Sequence, residues 1–158
     1  MKLDAPAAIV LDPTPLGLLV RPAGDGDGDE CKAWLVRLER FGCRFFVPQS
    51  ADFALRRALL RAGQTASVSR LDAFLSAEPD RFLPLSTPAF RLAATLWVQA
   101  GPSRRSPPAT LAEDALLAAQ ARLLSPAVRG LSAIVVATDR PARFQSLTTA
   151  ALWREIDV

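Results

Sequence analysis

The stretch IVLDPTPLGLLVRP, Ile9 to Pro22, places one acidic residue directly after a short apolar run. The run Ile-Val-Leu has the length and β-branched content of a buried strand, and Pro13 prevents that strand from simply continuing. In open parallel α/β sheets, ligand sites lie beyond the carboxyl ends of the strands. Asp12 is therefore either an ordinary turn residue or the first residue of a site at that edge.

The composition indicates a globular chain, and we expect a single domain over residues 1–158 because half of the residues are hydrophobic. No apolar run reaches the length of a membrane span, and no signal-peptide pattern opens the chain, which favours the cytoplasm and predicts no membrane contact. The net charge of +3 is carried almost wholly by arginine, with Lys2 and Lys32 the only lysines. Such a surface suits a polyanionic partner, and it equally suits a protein that needs only solubility.

Several classes of site are excluded by residue types that the chain lacks. There is no histidine, so a Ser-His-Asp triad cannot form. Cys31 and Cys43 are the only cysteines, and two thiols without histidine cannot supply the four ligands of a structural zinc site. The phosphate-binding pattern GxxxxGK[ST] is also absent.

The rest of the chain alternates short apolar strands with helices, which is typical of a parallel sheet with helices on both faces. The acidic stretch AGDGDGDE, residues 23–30, is predicted to be a flexible loop. Thr87 is expected to cap one helix, and Thr110 with Glu113 forms a capping-box pattern at the start of another. Strands are predicted at 43–48, 81–86 and 131–138, and helices at 30–42, 51–63, 65–77, 86–101 and 110–124.

Three acidic residues are expected to gather at one edge of this sheet. Asp12 ends the first strand, Asp139 follows the strand at 131–138, and Asp114 is predicted in the first turn of a helix. Clustered carboxylates without histidine or cysteine suit Mg²⁺ or Mn²⁺, which can polarise a phosphate and activate water. Each acid also has an ordinary role available, as a turn residue, a helix-dipole partner or a cap.

The order of these motifs resembles the PIN-domain family, which includes the VapC-type toxin ribonucleases. IVLDPTPL resembles the family's opening strand, and LAEDALLAAQA resembles its Asp-x-x-(Ile/Leu)-Ala-Ala-x-Ala segment. CRFFVPQSADFALRRALLRAG and LSAIVVATD resemble its second strand with the following helix and its later strand. The resemblance implies a three-layer α/β/α sandwich with a central parallel sheet and cleavage of RNA, single-stranded or structured, by a site of four acids with divalent ions. It also implies an antitoxin protein as a partner and leaves a homodimer open.

Residue by residue, the resemblance covers only part of the acidic site. Asp12 and Asp114 match the first and third acids, whereas Ala54 stands where the family has a glutamate. At the fourth position, the pattern Thr-x-acid selects Arg140, although Asp139 reaches the site if the strand ends one residue early.

The sequence therefore predicts a metal-dependent endoribonuclease with a weakened site, in which Asp12, Asp114 and Asp139 hold a loosely bound Mg²⁺ or Mn²⁺. The alternative is a catalytically inactive PIN-like domain that binds RNA or a partner protein. A structural or regulatory subunit without a nucleic-acid role is a third reading. Phosphate contacts are predicted from Arg56, Arg57, Arg104, Arg105 and Arg140, and Arg143 is a further basic group near the same site. Each could equally be a solvated surface cation.

Overall fold

A five-stranded, all-parallel sheet forms the centre of the computed structural model, which describes residues 1–102, 107–125 and 130–158. The strand order is β3-β2-β1-β4-β5, so the first strand of the chain lies in the middle. Apolar residues on both faces of β1 are fully buried, as expected for a strand covered by helices on both sides. The strands are β1 (Ala8–Leu11), β2 (Arg44–Pro48), β3 (Phe82–Leu83), β4 (Ile134–Thr138) and β5 (Ala150–Leu152).

The helices connect these strands and flank the sheet as the outer layers of an α/β/α sandwich. Short 3₁₀ turns follow β4 at Pro141–Arg143 and β5 at Trp153–Glu155. The predicted fold class, the strands β2, β3 and β4 and the five predicted helices are confirmed, with shifts of a few residues at their ends. The helices are α1 (Pro13–Leu19), α2 (Gly26–Arg40), α3 (Gln49–Arg61), α4 (Thr65–Ser76), α5 (Thr87–Ala100) and α6 (Pro108–Arg122).

The acidic stretch at 23–30 is not a loop throughout, because α2 begins inside it. Asp25 is the N-cap of α2 and accepts a hydrogen bond from the backbone N–H of Gly28 at 2.9 Å. Asp27 and Asp29 lie in the first turn, where the helix dipole favours negative charge. The alternating Asp-Gly pattern is therefore a helix start, and the prediction of a flexible loop is wrong for its second half.

Two predicted helix caps are also wrong. Ser86, one residue before Thr87, caps α5 and accepts a hydrogen bond from the N–H of Ala89. At α6, Pro108 begins the helix, so Thr110 lies inside it and makes no capping bond. Proline is well suited to the first helical position because it has no N–H to satisfy. The earlier start places Asp114 in the second turn of α6 rather than in the first.

The sheet gains an edge strand that the sequence did not indicate. β5 is only three residues long and rich in alanine, and it pairs only with β4 within the described chain. Phe144, Leu147 and Trp153, which flank it in the chain, are buried. Within residues 1–102, 107–125 and 130–158, no helix is both long and apolar enough to cross a membrane.

Candidate functional site

The carboxyl ends of β1 and β4 bring Asp12 and Thr138 together at the centre of the sheet. Leu11 pairs with Ala137 in register, so the next residue of each strand lies at the same level. The Thr138 hydroxyl donates to Oδ2 of Asp12 at 2.6 Å, and the backbone N–H of Arg140 donates to that hydroxyl at 3.1 Å. Because the hydroxyl accepts from Arg140, its own proton is directed at Asp12.

Asp12 is buried at this position, and its surroundings raise the pKa of its carboxyl group. Desolvation raises the pKa of Asp12 to about 6, although the hydrogen bond from Thr138 and the charges of Arg140 and Arg143 oppose the rise. The Asp114 carboxylate adds to the increase, because a nearby negative charge disfavours ionisation. Thr138 at the end of β4 binds Asp12, and Arg143, five residues later, binds Asp114, so both acids lie at the edge of the sheet where β4 ends.

Asp114 projects from α6 and is held by an arginine that the sequence did not connect with it. Arg143 donates from Nε to Oδ2 of Asp114 at 2.8 Å and from Nη2 to Oδ1. The Asp114 side chain is 5% exposed and that of Arg143 is 16% exposed, so the pair is largely withdrawn from water. Desolvation raises the pKa of Asp114, while the hydrogen bonds and charge of Arg143 lower it.

Asp139 does not join this pair. Its side chain is 42% exposed, and its Oδ1 accepts a hydrogen bond from Nε of the neighbouring Arg140. β4 runs extended to Thr138, whose side chain reaches Asp12, so the next side chain leaves on the other face. Within the described residues, no three acidic, cysteine or histidine side chains are grouped to hold a metal ion. The expected grouping of three acids is therefore corrected to a pair.

The residues of this cleft do not fit the divalent cation that the resemblance implies. Both oxygens of Asp114 are engaged by Arg143, and Oδ2 of Asp12 accepts from Thr138. Ala54, which stands at the family's glutamate position, has a methyl group and offers no oxygen. Because Mg²⁺ requires several well-placed oxygen ligands, the cleft lacks a suitable ligand set.

The predicted phosphate contacts are mostly paired with acids of the chain. Arg56 donates to Asp52 at 2.8 Å and to Asp72 at 2.7 Å, which links α3 to α4. The remaining described members form weaker pairs, from Arg57 to Glu113 at 3.4 Å and from Arg140 to Asp139 at 3.3 Å. Arg104 and Arg105 lie outside the described residues.

The sequence reasoning missed the roles of Thr138 and Arg143. Thr138 already stood in the Thr-x-acid pattern, so a stricter use of that pattern would have paired it with the acid of the neighbouring strand. Arg143 is predicted near the site only as a phosphate contact, because nothing local pairs it with Asp114, which lies 29 residues earlier and meets it through the turn that follows β4.

The strand order, the all-parallel sheet and the acids after β1 and within α6 define a PIN-like α/β/α domain. A solved structure with this fold is the crystal structure of FitAcB from Neisseria gonorrhoeae. The similarity has a TM-score of 0.58 at 21% sequence identity and covers 93% of this chain and 99% of that chain. At this identity the likeness shows the fold, and it confirms the predicted PIN-like architecture. No protein-family model matches the chain, and no curated protein matches it.

Thr138→Val is expected to lower the free energy of unfolding by about 2 kcal/mol, because it removes a buried hydrogen bond to a carboxylate at nearly constant volume. It should also raise the pKa of Asp12 further, since the Thr138 hydroxyl now opposes the effect of burial. Urea unfolding at neutral pH measures the first effect. Thr148→Val, at a half-buried threonine near the sheet edge, is the matched control. Equal stability of Thr138→Val and the wild type would contradict the assignment.

Proposed function

We propose that this chain is a PIN-like binding domain without divalent-metal nuclease activity, and that its ligand is a partner protein. The observation that carries the first half is the pair of hydrogen bonds from Arg143 to Asp114. Asp114 is the acid that best matches the family's motif, and the guanidinium charge held against both of its oxygens repels a metal ion there. Ala54 and the outward position of Asp139 support the same conclusion.

The surface near the cleft favours a protein ligand over RNA. Arg56, Arg57 and Arg140 are paired with carboxylates, which reduces the positive charge available to a phosphate backbone. An open apolar groove of about 440 Å³ lies between α5 and α6. Its lining includes Phe90 and Val98, whose exposed fractions are 55% and 71%. Exposed apolar surface of this kind is typical of protein interaction sites. An antitoxin-type protein, which the resemblance implies, is the proposed partner.

We expect the wild-type protein to show no RNA cleavage that depends on Mn²⁺ and is abolished by EDTA. The assay compares it with Asp114→Asn, which keeps the shape of the side chain and removes its charge. Both proteins should give the same background, since neither carries a metal-binding acid cluster among the described residues. Circular dichroism of Asp114→Asn checks that the variant is folded.

Two outcomes would count against the proposal. Mn²⁺-dependent cleavage that is lost in Asp114→Asn would establish a nuclease. Salt-sensitive RNA binding that weakens in Arg140→Gln would leave the inactive domain intact but replace the protein partner with RNA.

A further inference from the structure

The turn after β4 places the Arg143 guanidinium against Asp114, the residue that matches a metal-binding acid of the family. We propose that the Arg143 guanidinium takes the place of a divalent cation beside Asp114, so that the chain closes its own acidic cleft to metal ions. This inference rests on the proposed function, because both require Asp114 to be unavailable to metal. Metal binding and RNA cleavage are measured separately, so the two can fail separately.

The contact has the geometry of a specific pair rather than of a loose surface contact. Arginine presents its donors in a planar fork that matches the two oxygens of a carboxylate. Arg143 uses Nε and Nη2 on the two oxygens of Asp114, and both side chains are largely buried. Each oxygen keeps a second lone pair, but a positive charge already held against both oxygens repels a metal ion that approaches Asp114.

The backbone holds Arg143 in place for this contact. Arg143 ends the 3₁₀ turn that begins at Pro141, and its N–H donates to the carbonyl of Arg140 at 3.0 Å. Pro141 fixes the first φ angle of the turn, and the next residue, Phe144, is buried in the core. The backbone at Arg143 is thus anchored by Pro141 at the start of the turn and by Phe144 directly after it.

The charges around Asp12 and Asp114 also disfavour a metal ion. Asp12 and Asp114 face Arg140 and Arg143, and both arginines act on both carboxyl groups. Arg140 is also paired with Asp139, and Glu113 adds negative charge near Asp114. Arg143 is therefore the cation that offsets the Asp114 charge directly. Removing Arg143 would leave an excess of negative charge around two carboxylates that already lie close together.

The test is thermal unfolding of the wild type and of Arg143→Gln in EDTA, in millimolar Mg²⁺ and in millimolar Mn²⁺. We expect the wild-type Tm to be the same in all three buffers. Arg143→Gln should unfold at a lower temperature in EDTA and should gain about 3 °C or more in Mn²⁺, because a ligand that binds only the native state stabilises it.

Two control variants test whether the rise of Tm in Mn²⁺ depends on Asp114. Arg140→Gln removes a nearby positive charge but leaves both oxygens of Asp114 bound to Arg143, so it should stay insensitive to Mn²⁺. Adding Asp114→Asn to Arg143→Gln should abolish the Mn²⁺ response, because the exposed carboxylate is then gone. A wild-type Tm that rises in Mn²⁺ as much as that of Arg143→Gln would overturn the inference. A folded Arg143→Gln protein that ignores Mn²⁺ would overturn it as well.

If Arg143→Gln does not fold in EDTA, refolding in Mn²⁺ decides the question. Recovery of the native circular dichroism spectrum in Mn²⁺, but not in EDTA, supports the inference. The variant Arg143→Lys gives a second measurement, because lysine keeps the charge but has no fork. An intermediate Mn²⁺ response of Arg143→Lys is expected, and failure of both variants to respond or refold would overturn the assignment.

Discussion

Arg143→Gln is expected to lower the free energy of unfolding by about 3 kcal/mol at neutral pH in EDTA, because it leaves a buried carboxylate without its partner. The estimate takes the lower end of the usual range, since Arg143 retains some contact with water. Desolvation already raises the pKa of Asp114, and loss of Arg143 would raise it further. The loss of stability should therefore be larger at pH 8 than at pH 5, where the unpaired carboxyl group binds a proton.

The measurement is urea unfolding of wild type and variant at both pH values. Arg140→Gln is the matched control, because it removes an exposed pair with Asp139 and should change stability by less than about 1 kcal/mol. The double variant Arg143→Leu with Asp114→Leu should recover much of the lost stability, since an apolar pair removes the buried charge as well. Equal effects of Arg143→Gln and Arg140→Gln would show that the buried pair contributes little.

Asp12→Asn is expected to stabilise the protein above pH 6 and to leave it nearly unchanged below pH 4. A rise in pKa from the ordinary value of 3.8 to about 6 corresponds to about 3 kcal/mol. Because the folded state holds the proton more tightly than the unfolded chain, the contribution of Asp12 is most favourable below pH 4. It is lost as the pH rises from about 4 to about 6. Asparagine cannot ionise but can still accept the hydrogen bond from Thr138.

The free energy of unfolding of wild type and Asp12→Asn should therefore diverge between pH 4 and pH 6 and run in parallel at higher pH. Asp25→Asn is a control of opposite sign, because the hydrogen bond from Gly28 lowers the pKa of Asp25. That variant should be less stable than the wild type at neutral pH. Parallel profiles for wild type and Asp12→Asn from pH 4 to pH 7 would mean that Asp12 titrates normally.

The elements that the sequence predicted correctly are those with a strong local pattern. β1, β2 and β4 are continuous apolar runs, and such runs bury well in the middle of a parallel sheet. The missed elements have weak local signals. β5 is short and mostly alanine, and α2 starts among aspartates and glycines that also suit a loop.

Residues of the candidate site could be predicted only where a clear strand end fixed their position. Asp12 follows a clear strand, so its position at the sheet edge could be read directly. Asp139 depended on the last residue of β4, and a difference of one residue sends the side chain to the other face. The cytoplasmic location, the single-domain boundary and the metal ion remain predictions.

The sequence by itself determined the alternation of strands and helices, the parallel sheet and the likeness to the PIN fold, because those follow from local periodicity and short motifs. It also placed Asp12 at the edge of the sheet where parallel strands end, and the resemblance to the family's motif placed Asp114 at the same edge. Only the tertiary structure decided what those acids contact. The pairing of Arg143 with Asp114 joins two residues that are distant in the chain, and burial, not residue type, raises the pKa of Asp12. Both effects arise because β4 pairs with β1 and the turn after β4 brings Arg143 to Asp114 of α6. No local pattern in the sequence specifies either contact.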